Sequence, residues 1–266
     1  MNNPPIIDTH AHLDMNVYDE DREDMLARAA AAGVVNMITV GTDLESSKRA
    51  VALAERYPNV YAAVGIHPHD VIAITMADID AITKVGMSPR VVAVGETGLD
   101  FYRDISPRDR QVIAFLWHLD MADEMGLPVI VHSREAAGET VELLRSRLAE
   151  HHGIKQYRGV IHCFNGDAET AHAYLELGFH ISLGGYIGYP KSTALHEIIK
   201  SIPEDRLLSE TDCPFLPPQD YRGKRNEPSY LRLTVKKLAE IRKETYEKTA
   251  RVTTENARRL FGLPGE

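Results

Sequence analysis

Eight short apolar runs, most of them followed by a longer amphipathic stretch, constrain this chain more than any other feature. The runs cover residues 6–12, 36–42, 60–68, 91–100, 128–134, 159–165, 180–185 and 206–212. They are rich in Val, Ile and Leu, as strands buried on both faces must be. Residues 19–32, 44–56, 107–125, 136–150, 168–177 and 193–201 carry apolar side chains at helical spacing. Parallel neighbours in a sheet need a crossover connection, and a helix is the usual one. The alternation therefore predicts an α/β protein with a parallel sheet, and eight units predict a closed (β/α)8 TIM barrel. From residue 228 onward the pattern predicts one or two additional C-terminal helices, the last with an apolar stripe of Val252, Ala257, Leu260 and Phe261. One such barrel needs about 250 residues. The chain has 266, with no linker-like stretch, so a single domain over 1–266 is expected.

Charge narrows the function classes. Lys and Arg number 30 against 39 Asp and Glu, a formal net charge of −9. Non-specific nucleic-acid binding is mostly phosphate neutralisation by Lys and Arg. The balance argues against a protein that coats nucleic acid, though not against an enzyme that grips a few phosphates locally. Two cysteines, Cys163 and Cys213, are too few for a secreted disulfide framework. The opening MNNPPIIDTH lacks a basic segment followed by an apolar run, so no signal peptide is expected. The most apolar stretch, 29–40, is broken by Gly33 and Asn36 and is too short to span a bilayer. The expectation is a soluble cytoplasmic protein with no membrane partner and no obligate protein partner.

The ends of the runs carry the chemistry. Run one ends in His-Ala-His, run three in His-Pro-His and run four in Gly-Glu-Thr-Gly-Leu-Asp. Run five ends in His-Ser-Arg, run six contains His-Cys-Phe, and run eight ends in Glu-Thr-Asp. A barrel gathers the C-terminal ends of its strands on one face, so titratable groups spread along the chain would meet there.

His10 and His12 alternate onto one face and can hold one metal ion, although His-x-His alone is equally compatible with polar loop histidines. Asp8 shares that face. It is either a carboxylate that orients a ligand histidine or a purely structural hydrogen-bond partner. Glu96 closes Val-Val-Ala-Val-Gly, where a buried carboxylate needs a partner. A metal pair would be one, an Arg or Lys another. Gly95 and Gly98 around it imply close backbone approach. His132 and His162 each end an apolar run, and two histidines so placed, beside Glu96 and the His-x-His pair, favour metal over packing. Imidazole and carboxylate suit Zn, Mn, Fe or Co.

Asp212 and Glu210 fall on one face of run eight. Asp212, nearer the end, is the better candidate to bind metal and accept the proton of an attacking water. Cys163 and Cys213, each next to a candidate ligand, alternate away and are expected to be small packing residues. Arg222, Lys224 and Arg225 form a basic cluster in an acidic chain, either a phosphate hold or plain surface charge. His67, Arg103 and Arg134 are further phosphate candidates, His67 the best of them, with His69 an ordinary loop residue as the alternative.

Taken together these motifs resemble the TatD family of metal-dependent hydrolases, within the amidohydrolase-like barrels. The resemblance runs through Asp-Thr-His-Ala-His-Leu at 8–13, Gly-Ile-His-Pro-His at 65–69 and Val-Gly-Glu-Thr-Gly-Leu-Asp-Phe at 94–101. It continues through Pro-Val-Ile-Val-His-Ser-Arg at 128–134, Gly-Val-Ile-His-Cys-Phe at 159–164 and Leu-Leu-Ser-Glu-Thr-Asp-Cys-Pro at 207–214. Arg-Gly-Lys-Arg-Asn-Glu-Pro at 222–228 and Asn-Ala-Arg-Arg-Leu-Phe at 256–261 complete it. The resemblance implies two divalent cations, Zn, Mn or Mg. It implies that His10 and His12 bind the first, His132 and His162 the second, that Glu96 bridges them, and that Asp212 joins the first. From the residues themselves, Asp212 and Glu96 are the expected catalytic residues, and His67, Arg134 and Arg225 the expected substrate-binding ones.

Three functions compete. A phosphodiesterase acting on nucleic acid, of the 3′ to 5′ exonuclease type found among family deoxyribonucleases, draws on the basic cluster. A small-molecule hydrolase acting on an amide, lactone or phosphoester suits the barrel equally, because fold does not decide substrate. Many amidohydrolase relatives bridge their metals with a carboxylated lysine, but no run here ends in Lys. A non-catalytic protein with a structural metal fits worst, since six ligands shared by two ions leave room for water.

Overall fold

A computed structural model describes residues 4–150 and 158–265. Its strands are β1 (Ile6–Ala11), β2 (Val34–Val40), β3 (Val60–Val64), β4 (Val91–Asp100), β5 (Val129–Arg134), β6 (Gly159–Ile161), β7 (His180–Leu183) and β8 (Leu207–Ser209). All eight lie in one sheet in sequence order, each parallel to the next. Beyond β1 and β8 the sheet closes through a parallel bridge between Ala11 and Cys213. There His12 N donates to Cys213 O at 2.8 Å and Asp212 N donates to His10 O at 2.9 Å. The result is a parallel (β/α)8 barrel, as the alternation predicts.

The crossover helices are α1 (Arg22–Ala31), α2 (Leu44–Arg56), α3 (Met76–Gly86), α4 (Arg108–Met125), α5 (Ala137–Glu150), α6 (Ala168–Glu176) and α7 (Leu195–Ser201). Helix α3 has no counterpart among the amphipathic stretches named above, because its buried face is only Ile79, Ile82 and Gly86. Asp43 caps α2 and Asp167 caps α6, each side chain accepting a backbone N–H three residues on. Two helices follow the barrel, α8 (Leu231–Arg242) and α9 (Tyr246–Phe261).

Two apolar clusters hold this together. The larger lies between the strands and the surrounding helices. The smaller contains Ile7, Ile38, Val40, Ala63, Ala93, Ile130, Val160 and Leu208 from the strands, with Ala257, Leu260 and Phe261 of α9. Helix α9 thus plugs one end of the barrel. Thr254 Oγ1 donates to Pro5 O, before β1, and Asn256 Nδ2 to Glu204 O, before β8, so the plugged end is the N-terminal one. The opposite end stays free for chemistry. No helix among the described residues is long and apolar enough to cross a membrane.

Several strands end earlier than the apolar runs suggest. β3 stops at Val64, β6 at Ile161 and β8 at Ser209, so His67, His162 and Asp212 stand on the loops that follow. Alternation therefore does not govern those positions. Cys163 takes φ 49° and Asp212 φ 54°. Cys163 accordingly lines the cavity at the strand ends, which corrects the expectation that alternation turns it away, while it still packs against the larger apolar cluster. Cys213 is buried, as expected.

Candidate metal centre

A cavity of about 1680 Å³ opens at the C-terminal ends of the strands, and His12, His67, Glu96, Arg134, His132, His162 and Asp212 are among the residues that line it. Glu96 reaches it because β4 bulges there. Two residues separate Val94 from Thr97, but only one separates their β5 partners, Val129 and Val131. The close approach that Gly95 and Gly98 imply is to β5. Gly95 has φ 151°, and a Cβ on it would sit 2.7 Å from Ile130 O. Gly98 has φ 132°, and a Cβ there would overlap the His132 carbonyl oxygen.

The ligand candidates form two sets that share Glu96. In the first, His10 Nε2 lies 3.3 Å from His12 Nε2, 3.4 Å from Glu96 Oε2 and 3.8 Å from Asp212 Oδ1. His12 Nε2 lies 3.5 Å from Asp212 Oδ1 and 3.8 Å from Glu96 Oε2. In the second, Glu96 Oε1 lies 2.9 Å from His162 Nε2 and 3.0 Å from His132 Nδ1, which are 3.3 Å apart. A tetrahedral ion with bonds of about 2.0–2.1 Å needs ligand atoms roughly 3.3–3.4 Å apart. Both sets have that spacing to within a few tenths of an ångström.

The backing groups decide which ring nitrogen carries the lone pair. His12 Nδ1 donates to Val40 O at 2.9 Å, and His132 Nε2 donates to Asp100 Oδ2 at 3.1 Å. His162 Nδ1 faces Glu210 Oε1 at 3.5 Å. Val40 O and Asp100 thus hold an outward proton on His12 and His132, and the inward nitrogen, which donates to a carboxylate while no cation is bound, is the one a cation would take. Among the described residues, the buried Nδ1 atoms of His10 and His162 have no hydrogen-bond partner.

The electrostatics favour cations. Burial opposes charge on His12, yet the hydrogen bond to Asp212 and the charges of Glu96 and Asp212 raise its pKa to about 9. Burial likewise opposes charge on Glu96, but His162 and His67 nearby, with hydrogen bonds from His10 and His132, hold it well below the usual carboxylate range. Asp212 is buried too, and its hydrogen bond from His12 and the neighbouring imidazoles keep its pKa low. His10 goes the other way, lowered by burial and by His162.

The remaining candidates fall in different places. Burial lowers the pKa of His67 to about 3, so it is neutral. Its Nδ1 accepts from His69 N at 3.1 Å, which leaves Nε2–H as a donor toward Glu96 Oε1 at 3.5 Å and the cavity. Arg134 lies on the cavity wall, its guanidinium 4.0 Å from the Tyr102 ring centroid. Arg225 is not at the centre. It forks onto Asp21 at 2.6 and 2.8 Å, donates to Val17 O and covers the Tyr18 ring. Of the rest of the basic cluster, Arg222 lies over Tyr189, a ring that lines the cavity, and Lys224 over Tyr221.

Asp8 accepts from Thr211 N at 2.9 Å and from Thr211 Oγ1 at 2.6 Å, tying β1 to the chain after β8 and touching no ligand ring. Glu210 backs His162 and accepts from Cys163 N at 2.6 Å, so it does not share the position of Asp212.

Two further residues are not singled out by sequence reasoning. Asp100, 1% exposed, accepts from His132 and from His69 Nε2 at 3.0 Å. The signal was present, since Asp100 ends the same run as Glu96 with even spacing. His118, on the apolar face of α4, left no signal. Its Nε2 accepts from Ile66 N at 3.0 Å and so steadies the loop that carries His67.

Comparison with known proteins now adds to this geometry. The model of TatD related DNases matches residues 7–262. The chain belongs to the TatD family. It is 43% identical to a metal-dependent hydrolase of Bacillus subtilis, itself uncharacterized, over 97% of this chain and 99% of that one. It is 36% identical to a 3′-5′ ssDNA/RNA exonuclease of Escherichia fergusonii, over 97% of this chain and 99% of that one. The crystal structure of a TatD homologue from Escherichia coli superposes with a TM-score of 0.89 at 34% identity, covering 97% of this chain and 98% of that one. This TatD protein is therefore a metal-dependent hydrolase with candidate ligand groups at the open end of its barrel.

Proposed function

We propose that the protein is a two-cation phosphodiesterase that removes nucleotides from the 3′ end of single-stranded nucleic acid. One observation carries the two-cation reading. The inward nitrogens of four histidines converge on the two oxygens of one carboxylate, giving two donor sets joined by Glu96. The nucleic-acid reading is supported by relatives that bear the name of ssDNA/RNA exonuclease.

A pair of divalent cations would supply Lewis acidity toward phosphoryl oxygen and lower the pKa of the attacking water. His10, His12 and Asp212 would hold one, His132 and His162 the other, with one oxygen of Glu96 toward each. Asp212 lines the cavity with its pKa held low by His12 and the neighbouring imidazoles, which supports it as the acceptor of the attacking water's proton. His67 Nε2–H points toward Glu96 and can donate to a non-bridging phosphate oxygen. Arg103 and Arg134 line the same wall and offer charge to the flanking phosphates.

One observation favours a small phosphoester as a second reading. Asp43, Asp70, Glu135, Glu142, Asp167 and Glu169 also line the cavity and disfavour a long polyanion. A substrate panel separates the two. Metal-stripped protein, reconstituted with Mn, Mg or Zn, should shorten single-stranded DNA or RNA from its 3′ end and leave closed circles intact. Rapid hydrolysis of a small ester or amide with no action on any oligonucleotide would overturn the nuclease reading.

A further inference from the structure

Among the described residues only two aromatic side chains are exposed, Tyr102 at 61% and Phe215 at 49%. Both line the cavity that holds the ligand sets. Exposed rings cost solvation, and where they gather in one place they mark a binding surface. Their positions relative to the ligands are specific. The Phe215 ring meets the His12 ring edge-on, centroids 5.9 Å apart at 72°. Its backbone is pinned from both sides: Phe215 N donates to Asp212 O at 2.9 Å, and Asn226 Nδ2 donates to Phe215 O at 2.6 Å. Tyr102 stands by the other set. Its backbone N donates to Asp100 Oδ1 at 3.0 Å, the carboxylate whose other oxygen holds His132. One face of the Tyr102 ring is taken by the Arg134 guanidinium, a cation–π arrangement that stiffens the ring and sets a positive charge beside it.

We infer that Phe215 and Tyr102 are stacking platforms for the two bases that flank the scissile phosphate of a single-stranded nucleic acid. This rests on the nuclease reading above. A phosphate seated over Glu96 would have its neighbouring nucleosides leave in two directions, one past His12 toward Phe215 and one past Asp100 toward Tyr102. Stacking on a π face requires no particular base, so such platforms accept any sequence. A paired base in duplex already has both faces covered and cannot use them without being unstacked. The rings therefore supply a preference for single strands that the few arginines at the site do not. Arg134 would act through Tyr102 and through phosphate together.

The test uses full-length, metal-loaded protein and single-stranded oligodeoxynucleotides carrying 2-aminopurine at the terminal or the penultimate position. Stacking of 2-aminopurine on a ring quenches its fluorescence. Wild type should quench both probes on binding. Phe215→Ala should lose the quench at one position and Tyr102→Ala at the other, each with KM raised about 5- to 150-fold and kcat less affected. Phe215→Trp should restore both signals. An abasic residue at the matching position should weaken wild type as much as the alanine does, and the two changes together should not add. Unchanged quenching and KM in both alanine variants would overturn the inference, as would losses that simply add to those from the abasic residue. So would variants that alter only self-association, which would make the rings a protein interface. If wild type cleaves no oligonucleotide at all, the nuclease reading itself has failed.

Discussion

Replacing Asp100 by Asn should weaken one cation site by a route the geometry specifies. Asp100 Oδ1 accepts two backbone N–H groups, from Tyr102 at 3.0 Å and Arg103 at 2.9 Å, while Oδ2 accepts from His132 Nε2 at 3.1 Å. An asparagine must keep its carbonyl on the two backbone donors, because its NH2 would clash with them. Its NH2 then faces His132 Nε2 and His69 Nε2. To avoid donor meeting donor, His132 must move its proton to Nδ1, the nitrogen 3.0 Å from Glu96 Oε1. The lone pair meant for the cation is lost. Changing such a backing carboxylate typically costs about 10- to 100-fold in metal affinity, or roughly 1.4–2.7 kcal/mol at 1.36 kcal/mol per decade. Competition with a chromophoric chelator reads this directly. One of two binding steps should weaken by that factor while the step that involves His10, His12 and Asp212 stays within about threefold, given the usual scatter of independent sites. Two unchanged steps, or an equal loss in both, would refute the argument.

Three further outcomes follow from the same contacts. Arg225→Ala should leave KM for any oligonucleotide unchanged and cost at most about 1 kcal/mol in urea unfolding, since its partner Asp21 is partly exposed. Arg134→Gln should raise KM and reduce the salt slope on single strands by about 0.7, the share of one phosphate contact. His118 is fully buried, and burial lowers its pKa from the ordinary 6.5 to about 4. The unfolded chain therefore takes up a proton between those values that the folded protein refuses. The contribution of His118 to stability therefore falls as pH drops from about 6.5 to 4, by about 3 kcal/mol in all. Unfolding curves of His118→Gln against wild type, both in chelator, should differ in slope by one proton over that window. Parallel curves would show that His118 titrates freely.

The barrel was legible because its determinants are local. Eight Val- and Ile-rich runs and their amphipathic partners leave few other architectures. That the candidate ligands would meet was legible because the barrel brings together residues at the ends of different apolar runs, as it does His132 and His162. What was not legible depends on backbone geometry past the strand ends. Alternation placed Cys163 away from the cavity, but β6 stops at Ile161 and the turn at φ 49° brings the residue round to it. Alternation likewise put Glu210 and Asp212 on one face, whereas Glu210 backs His162 and Asp212 joins His10 and His12. Arg225 was judged by its neighbours in sequence, and its partner Asp21 lies some two hundred residues away. His118 sits on a helix face that reads as core, and only the fold sets its ring against Ile66 N.

The central claim is that Glu96 joins two cations at the open end of the barrel. Electron paramagnetic resonance of metal-stripped protein titrated with Mn(II) tests it most directly. At two equivalents the wild type should give the spectrum of an exchange-coupled pair, and turnover should rise with that signal. Glu96→Ala should give only isolated Mn(II) and no turnover. Full turnover at one equivalent, with no coupled pair at any stoichiometry, would contradict the account.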